Sequence, residues 1–363
     1  MLPSEATRSV LHIDLDALVA NYRLLVSRLS GARCGAVVKA DAYGLGAEKI
    51  AVALAGAGCE DFFVASVDEG IELRQYLPAR RIFVLDGVGS DDAAEAAAHG
   101  LIPVLNHRGQ IEAWMRATAA KPSPSAIHVD TGMTRLGLSA ADIEPMIASG
   151  AFERVGPQLL ISHLACSEDA AHSMNQTQRL AFVRVLDRLA PVQASLANSS
   201  GIFLGGDFHF DLVRPGAALY GINPTPNAPN PMRQVIQLKG KIVQVRDIDS
   251  PRTVGYGATH RLNGTARIAT ISVGYADGYF RALSNQGSGH IGNVRVPVVG
   301  RISMDLTTLD VTAAPLAACQ PGEFVDLIGP HNPVDDVAAK AGTIAYELLT
   351  RLGPRLARVY EGG

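Results

Sequence analysis

Residues Gly35 to Gly46 read GAVVKADAYGLG, an apolar run that ends on Lys39 and runs straight into a glycine-punctuated turn carrying Asp41 and Tyr43. An amine at the end of a buried strand is desolvated, which disfavours its charged form and lowers its pKa from about 10.4. A neutral amine can condense with a carbonyl and later serve as a base. The plainer reading of a single such lysine is a snorkelling side chain or an ion pair, with Asp41 the ready partner. Other groups of chemical interest follow: Asp130 and Arg135 in DTGMTRLG, His163 in LLISH, Asn198 and Ser199 in ANSSG, and Arg214 in DLVRP. Each also has an ordinary role: Ser199 as a helix cap, His163 as a core histidine, the arginines as ion-pair formers, Tyr43 as a packed turn aromatic. Cys166, three residues after His163, raises a Cys–His pair; no orienting third group accompanies it, and a core thiol is the simpler reading.

These residues gain meaning from the elements that must hold them. Eight short apolar runs recur at 35–39, 62–66, 82–86, 102–106, 126–130, 159–163, 193–198 and 211–215. All are continuous rather than alternating, as in strands covered on both faces. Stretches of helical period such as VDEGIELRQYL and SMNQTQRLAFVRVLDRLA lie between them. The pattern predicts a (β/α)8 barrel, with an open doubly wound sheet as the alternative that a count of eight disfavours. In such a barrel the chemistry gathers at the C-terminal ends of the strands, and Lys39, Asp130, Arg135, His163, Asn198, Ser199 and Arg214 all fall there.

That set holds an amine, an imidazole and two guanidiniums, without paired catalytic carboxylates or a cluster of metal ligands. After the seventh and eighth strands, where barrels often bind phosphate, ANSSG offers hydroxyls. RPGAALYG offers backbone amides at Gly216 and Ala217, at a helix start suited to an anion. A lysine beside a phosphate site implies a phosphorylated carbonyl held by the amine, and pyridoxal phosphate fits.

NPTPNAPNPMR at 223–233 breaks the alternation. We therefore expect a cofactor-binding barrel over 1–230 and a mainly β domain over 231–363, with TIAYELLTRLGPRLARVY as its one clear helix. GSGHIG at 287–292 matches the dinucleotide fingerprint GxGxxG, but it precedes a strand-like run instead of opening a helix, so a hairpin turn is expected. Hydrophobic residues make up 47% of the 363 residues and charged ones 18%, with a net charge of −3. That balance gives no field to favour nucleic acid or an anionic membrane. The N-terminus shows no basic segment followed by an apolar core, and no apolar run reaches the ~18 residues of a bilayer span. Four cysteines, at 34, 59, 166 and 319, form no CxxC pair, which fits reduced thiols in a cytoplasmic protein.

Taken together, AVVKADAYGLGA, HVDTGMTRLG, ISHLACSED, ANSSG, VRPGAALYG, SVGYADGY and VGRISMD resemble the alanine racemase family, from IDLDAL near the N-terminus to YELLTRLG near the C-terminus. The resemblance implies a pyridoxal-phosphate isomerase that interconverts L- and D-alanine for peptidoglycan, working as a head-to-tail homodimer. By the same carry-over Lys39 holds the cofactor and serves one face of the substrate, while Tyr275 from the partner's β domain serves the other. Arg214 would contact the pyridine nitrogen and His163 pack against the ring, with Asn198 alongside. Tyr43, Ser199 and the amides of Gly216 and Ala217 would hold the phosphate. Arg135 and the partner's Met304 would lie near the substrate carboxylate. Outside this motif Tyr275 would read as a strand-end aromatic.

Two positions depart from the family. Many members carry a carbamylated lysine where His128 stands, so Arg135 needs another partner. Many also carry a phosphate-binding tyrosine near the C-terminal segment, where this chain reads RLGPRLARVY and offers only Tyr360. Alternatives from other classes are a decarboxylase of the same plan, a racemase of broader specificity for serine and small amino acids, and a pyridoxal-phosphate carrier. The decarboxylase would bring a cysteine–aspartate pair from the β domain, where GRISMD has serine and methionine; the carrier would lack the β domain.

Overall fold

The structure is a computed structural model that describes residues 9–363; residues 1–8, where the expectation of no secretory leader begins, lie outside the described residues. β1 (Ser9–Asp14) leads into a helix at Leu15–Ser27, capped by Asp14, whose Oδ1 accepts from the Ala17 amide at 2.7 Å. β2 (Arg33–Cys34) and β3 (Ala36–Val37) together make the first barrel strand. β3, β4 (Asp61–Val64), β5 (Arg81–Val84), β6 (Ile102–Leu105), β7 (Ala126–His128), β8 (Leu159–Ile161) and β9 (Gln193–Ser195) pair in parallel, each with the next. β10 (Leu212–Val213) closes the ring. Arg33 and Cys34 pair with it, and Asp211 and Arg214 donate to Ala194 O at 3.0 Å and Ala197 O at 2.9 Å. The fold is the expected (β/α)8 barrel with a mainly β C-terminal part. Phe62, Phe63, Ile82 and Val84 are fully buried, as continuous apolar strands require, and the Phe63 and Phe83 rings stack with centroids 4.7 Å apart.

Beyond the irregular segment at 223–233, β11 (Ile236–Ile248) is the spine of an eight-stranded sheet. It pairs antiparallel with β1, with β14 (Ala266–Ile271) and with β18 (Phe324–Ile328). Between β11 and β14, β12 (Thr253–Val254) and β13 (His260–Arg261) form a small hairpin. β15 (Ser288–Ile291) and β16 (Val294–Pro297) form another, so GSGHIG lies in a strand and its turn, with no phosphate-binding helix start. β17 (Thr307–Asp310) pairs with β14, and β19 (Ala357–Glu361) runs parallel to β1. The strand at the start of the chain thus belongs to the β sheet.

Two expectations change. Lys39 lies beyond the end of its strand, as the first residue of a helical turn over Lys39–Gly44. The C-terminal run holds a helix only over Ala345–Thr350 and then becomes β19, because Gly353 and Pro354 cannot continue a helix; a second helix spans Val334–Lys340.

Candidate active site

The turn after Lys39 is left-handed. Ala40, Asp41, Ala42 and Tyr43 have φ between 51° and 59°, at roughly 1–2 kcal/mol per residue against the right-handed form. Distant groups hold it there. The Ala40 amide donates to Glu69 Oε1 at 2.9 Å, Arg358 donates to Gly44 O at 2.8 Å, and Tyr360 donates to Leu45 O at 2.8 Å. Asp41 Oδ1 accepts from the Ala47 amide at 2.7 Å, so its carboxylate shapes the turn. No ion pair to Lys39 forms among the described residues, and the Asp41 pairing does not occur. Lys39 is half-buried, and its amine has no hydrogen-bond partner among the described residues.

Arg214 is buried, and no carboxylate among the described residues pairs with it. It donates to Ser195 Oγ at 2.5 Å and Ser162 O at 2.6 Å, and faces His163 Nδ1 at 3.5 Å. Burial lowers its pKa to about 10, far enough above neutrality that it stays cationic. His163 is pushed down to about 3, first by burial and then by the charges of Arg214 and Arg135, so its imidazole is neutral. With a guanidinium facing Nδ1, the ring's proton belongs on Nε2.

Ser199 and the backbone after Arg214 come together as expected, with the Gly216 amide engaged by the serine itself. Ser199 Oγ accepts from the Gly216 amide at 3.0 Å and the Ala218 amide at 3.2 Å. A Cβ on Gly216 would stand 2.3 Å from Tyr43 Oη, so the glycine lets this backbone reach the tyrosine hydroxyl. Tyr43 packs on Tyr220 at 4.6 Å and on Tyr346 at 6.1 Å between ring centroids. Asn198 is engaged elsewhere, since its Oδ1 accepts from Ser167 Oγ and the Gly201 amide, both at 2.9 Å. Tyr360, spent on Leu45 O, braces the lysine turn from outside.

Arg135 rides on a loop organised by Asp130, whose Oδ1 accepts from the amides of Gly132 and Met133 at 2.9 Å. Its guanidinium is exposed and donates to no acceptor among the described residues, yet its charge lowers the pKa of both His128 and His163. His128 in turn is oriented by Asn106. That amide donates to Leu85 O at 3.1 Å and Val104 O at 2.9 Å, which turns its oxygen toward His128 Nδ1 at 2.8 Å. An amide oxygen only accepts, so Nδ1 carries the proton and Nε2 is left as an acceptor.

Tyr275 opens a short 3-10 turn over Tyr275–Asp277, pinned to the loop that bears Met304. The Tyr275 and Ala276 amides donate to Ser303 O at 3.1 Å and Met304 O at 3.0 Å. Arg355 donates to Asp277 at 2.9 Å and to Asp305 at 2.7 Å. Tyr275, Met304, Tyr256, Leu306, Arg281 and Arg301 line a hollow of about 430 Å³ that includes no barrel residue. Sequence reasoning missed Glu69, Asn106, Tyr346 and Arg355. Tyr346 stands in YELLTRLG and Arg355 in RLGPRLARVY, yet neither was read as part of the site, and only helical phase could have aimed Glu69 at the barrel mouth.

An uncommitted amine, a caged guanidinium, a neutral imidazole and a serine seated on backbone amides meet at one barrel mouth, the arrangement expected of an enzyme that works on a phosphorylated ring. The comparisons name the family. Residues 13–224 match the model of the alanine racemase N-terminal domain and residues 235–360 that of the C-terminal domain. The alanine racemase of Rhodospirillum rubrum is 49% identical over 362 residues, covering 98% of this chain and 96% of the relative. The catabolic alanine racemase of Mesorhizobium japonicum is 47% identical, covering 99% and 94%. The crystal structure of alanine racemase from Bartonella henselae, with covalently bound pyridoxal phosphate, superposes with a TM-score of 0.93 at 43% identity, over 99% of this chain and 100% of that one. The chain belongs to the alanine racemase family. No helix among the described residues is long and apolar enough to cross a membrane.

Proposed function

We propose that this protein interconverts L- and D-alanine with pyridoxal phosphate, in the cytoplasm and in the service of peptidoglycan, as a homodimer whose two active sites are each shared between subunits. The observation that carries the reading is the buried Arg214, without a counterion, beside neutral His163 at the same barrel mouth as the uncommitted Lys39. Arg214 offers a donor to a ring nitrogen that must stay unprotonated, and the small cup at Tyr43, Ser199, Gly216 and Ala217 suits a phosphate. Bound there, pyridoxal phosphate would supply the electron-withdrawing ring that makes the Cα proton of an attached amino acid removable.

The residues divide the work. The Lys39 Nζ takes or returns the Cα proton on one face, and Tyr275 of the partner subunit does the same on the other through its hydroxyl. Arg135 and Met304 of the partner subunit hold the substrate carboxylate. The shared site is supported by the exposed apolar group Tyr256, Tyr275, Met304 and Leu306, rimmed by Arg281 and Arg301, a surface that calls for a partner.

The test is L-alanine in heavy water with the cofactor-loaded protein. Loss of the circular dichroism signal together with Cα deuterium uptake supports the reading; deuterium uptake with retained handedness refutes the two-base assignment. Lys39→Ala and Tyr275→Phe chains, each inactive alone, should recover about one quarter of wild-type activity when mixed as dimers, since half the dimers are mixed and each carries one complete site. No recovery would refute sharing.

A further inference from the structure

Glu69 stands third in the helix Val67–Tyr76, whose cap is already supplied by Ser66. A glutamate at this position commonly turns back to the cap residue's own amide. Here its two oxygens reach elsewhere. Oε2 accepts from the Ala65 amide at 2.8 Å, just past the end of β4, and Oε1 accepts from the Ala40 amide at 2.9 Å, the first peptide after Lys39. One half-buried carboxylate thus ties the exits of two neighbouring barrel strands together. The peptide it grips on the β3 side is the one at which the backbone turns left-handed.

We propose that Glu69 is a positioning residue for the Lys39 amine, resting on the reading that Lys39 holds the cofactor. Two N–H donors converge on the site, so it demands two acceptors, which a carboxylate provides and a carboxamide does not. Without the grip on Ala40, the peptide bearing Lys39 is free to leave an unfavourable conformation, and the amine loses its fixed approach to the barrel mouth. Tyr43, at the other end of the turn, keeps its place: the Ala42 amide still donates to Val38 O at 2.9 Å, and the ring stays against Tyr220. The effect therefore falls on the amine far more than on the phosphate cup.

The test separates those two ends. Pyridoxal phosphate can bond to Lys39, whereas pyridoxamine phosphate has the same ring and phosphate but no aldehyde. In Glu69→Gln, one acceptor becomes a donor facing an N–H, and affinity for pyridoxal phosphate should fall roughly 10–100-fold while that for pyridoxamine phosphate changes less than about threefold. Glu72→Gln, an exposed carboxylate on the same helix, should leave both affinities unchanged. Equal losses for the two ligands would mean that Glu69 only supports the fold, and no loss would mean that it does nothing here; either overturns the proposal. Borohydride reduction of the loaded wild type followed by peptide mapping tests the underlying reading separately. Label on Lys39 upholds it, and label elsewhere overturns both it and the role of Glu69.

Discussion

Neutral His128 should make the protein acid-sensitive by a calculable amount. The imidazole is half-buried, its Nδ1–H is committed to Asn106, and the charges of Arg214 and Arg135 oppose protonation while Asp130 favours it. Burial is the largest of these effects, and together they lower the pKa from 6.5 to about 4. A histidine whose folded pKa is depressed binds more protons when unfolded, so its contribution to stability is complete above pH 6.5 and is lost as the pH falls toward 4. From pH 7 to pH 5 the loss is about 2 kcal/mol, the slope approaching 1.36 kcal/mol per pH unit between the two pKa values. His128→Asn keeps a donor where Nδ1 stood and removes the titrating ring. Urea unfolding at pH 7 and pH 5, at one protein concentration, should show wild type losing about 2 kcal/mol more than the variant between the two. Other groups titrate in both proteins and cancel. Equal losses to within about 0.5 kcal/mol would refute the neutral assignment, and a larger loss in the variant would reverse the sign of the reasoning.

Three further outcomes follow from the geometry. Gly216→Ala places a methyl against Tyr43 Oη and should weaken pyridoxal phosphate binding at least about tenfold by fluorescence titration, with the cofactor-free melting temperature little changed. Arg214→Met removes a buried charge but strands its acceptors at Ser195 and Ser162. The two effects oppose, so the cofactor-free melting temperature should stay within about 5 °C of wild type while racemisation falls at least about a hundredfold. Asp277→Asn loosens the bridge from Arg355 to the Tyr275 turn and should lower kcat about tenfold in a coupled assay, with cofactor content unchanged.

The barrel was legible because strands covered on both faces are written as continuous apolar runs, and the run from Gly35 to Lys39 announces itself without any partner. The meeting of Ser199 and Gly216 was legible for a similar reason: they sit in short stretches just past the seventh and eighth strands, and the Gly216 amide donates to Ser199 Oγ. Asn198 shows the limit of that logic. It lies in the same stretch, but its oxygen is committed to Ser167 and Gly201, and nothing in ANSSG distinguishes a ligand from a local cap. Short windows were also blind to β1, whose sequence fits a barrel strand as well as the β sheet it joins, since pairing with residues 236–240 and 357–361 is non-local.

The left-handed turn is the feature farthest from the sequence, and the physics says why. Ala40 and Ala42 are residues of high right-handed preference, so any local rule assigns the opposite conformation. The turn can persist only if remote groups offset its cost, and those groups are scattered along the chain: Glu69, Arg358 and Tyr360. Two of the three come from the C-terminal segment, which also carries Arg355, the anchor of the Tyr275 turn. One stretch of chain, residues 355–360, therefore braces both the turn that bears the amine and the turn that bears the phenol. In a dimer with shared sites these turns serve different active sites, so a displacement of this stretch acts on both sites at once.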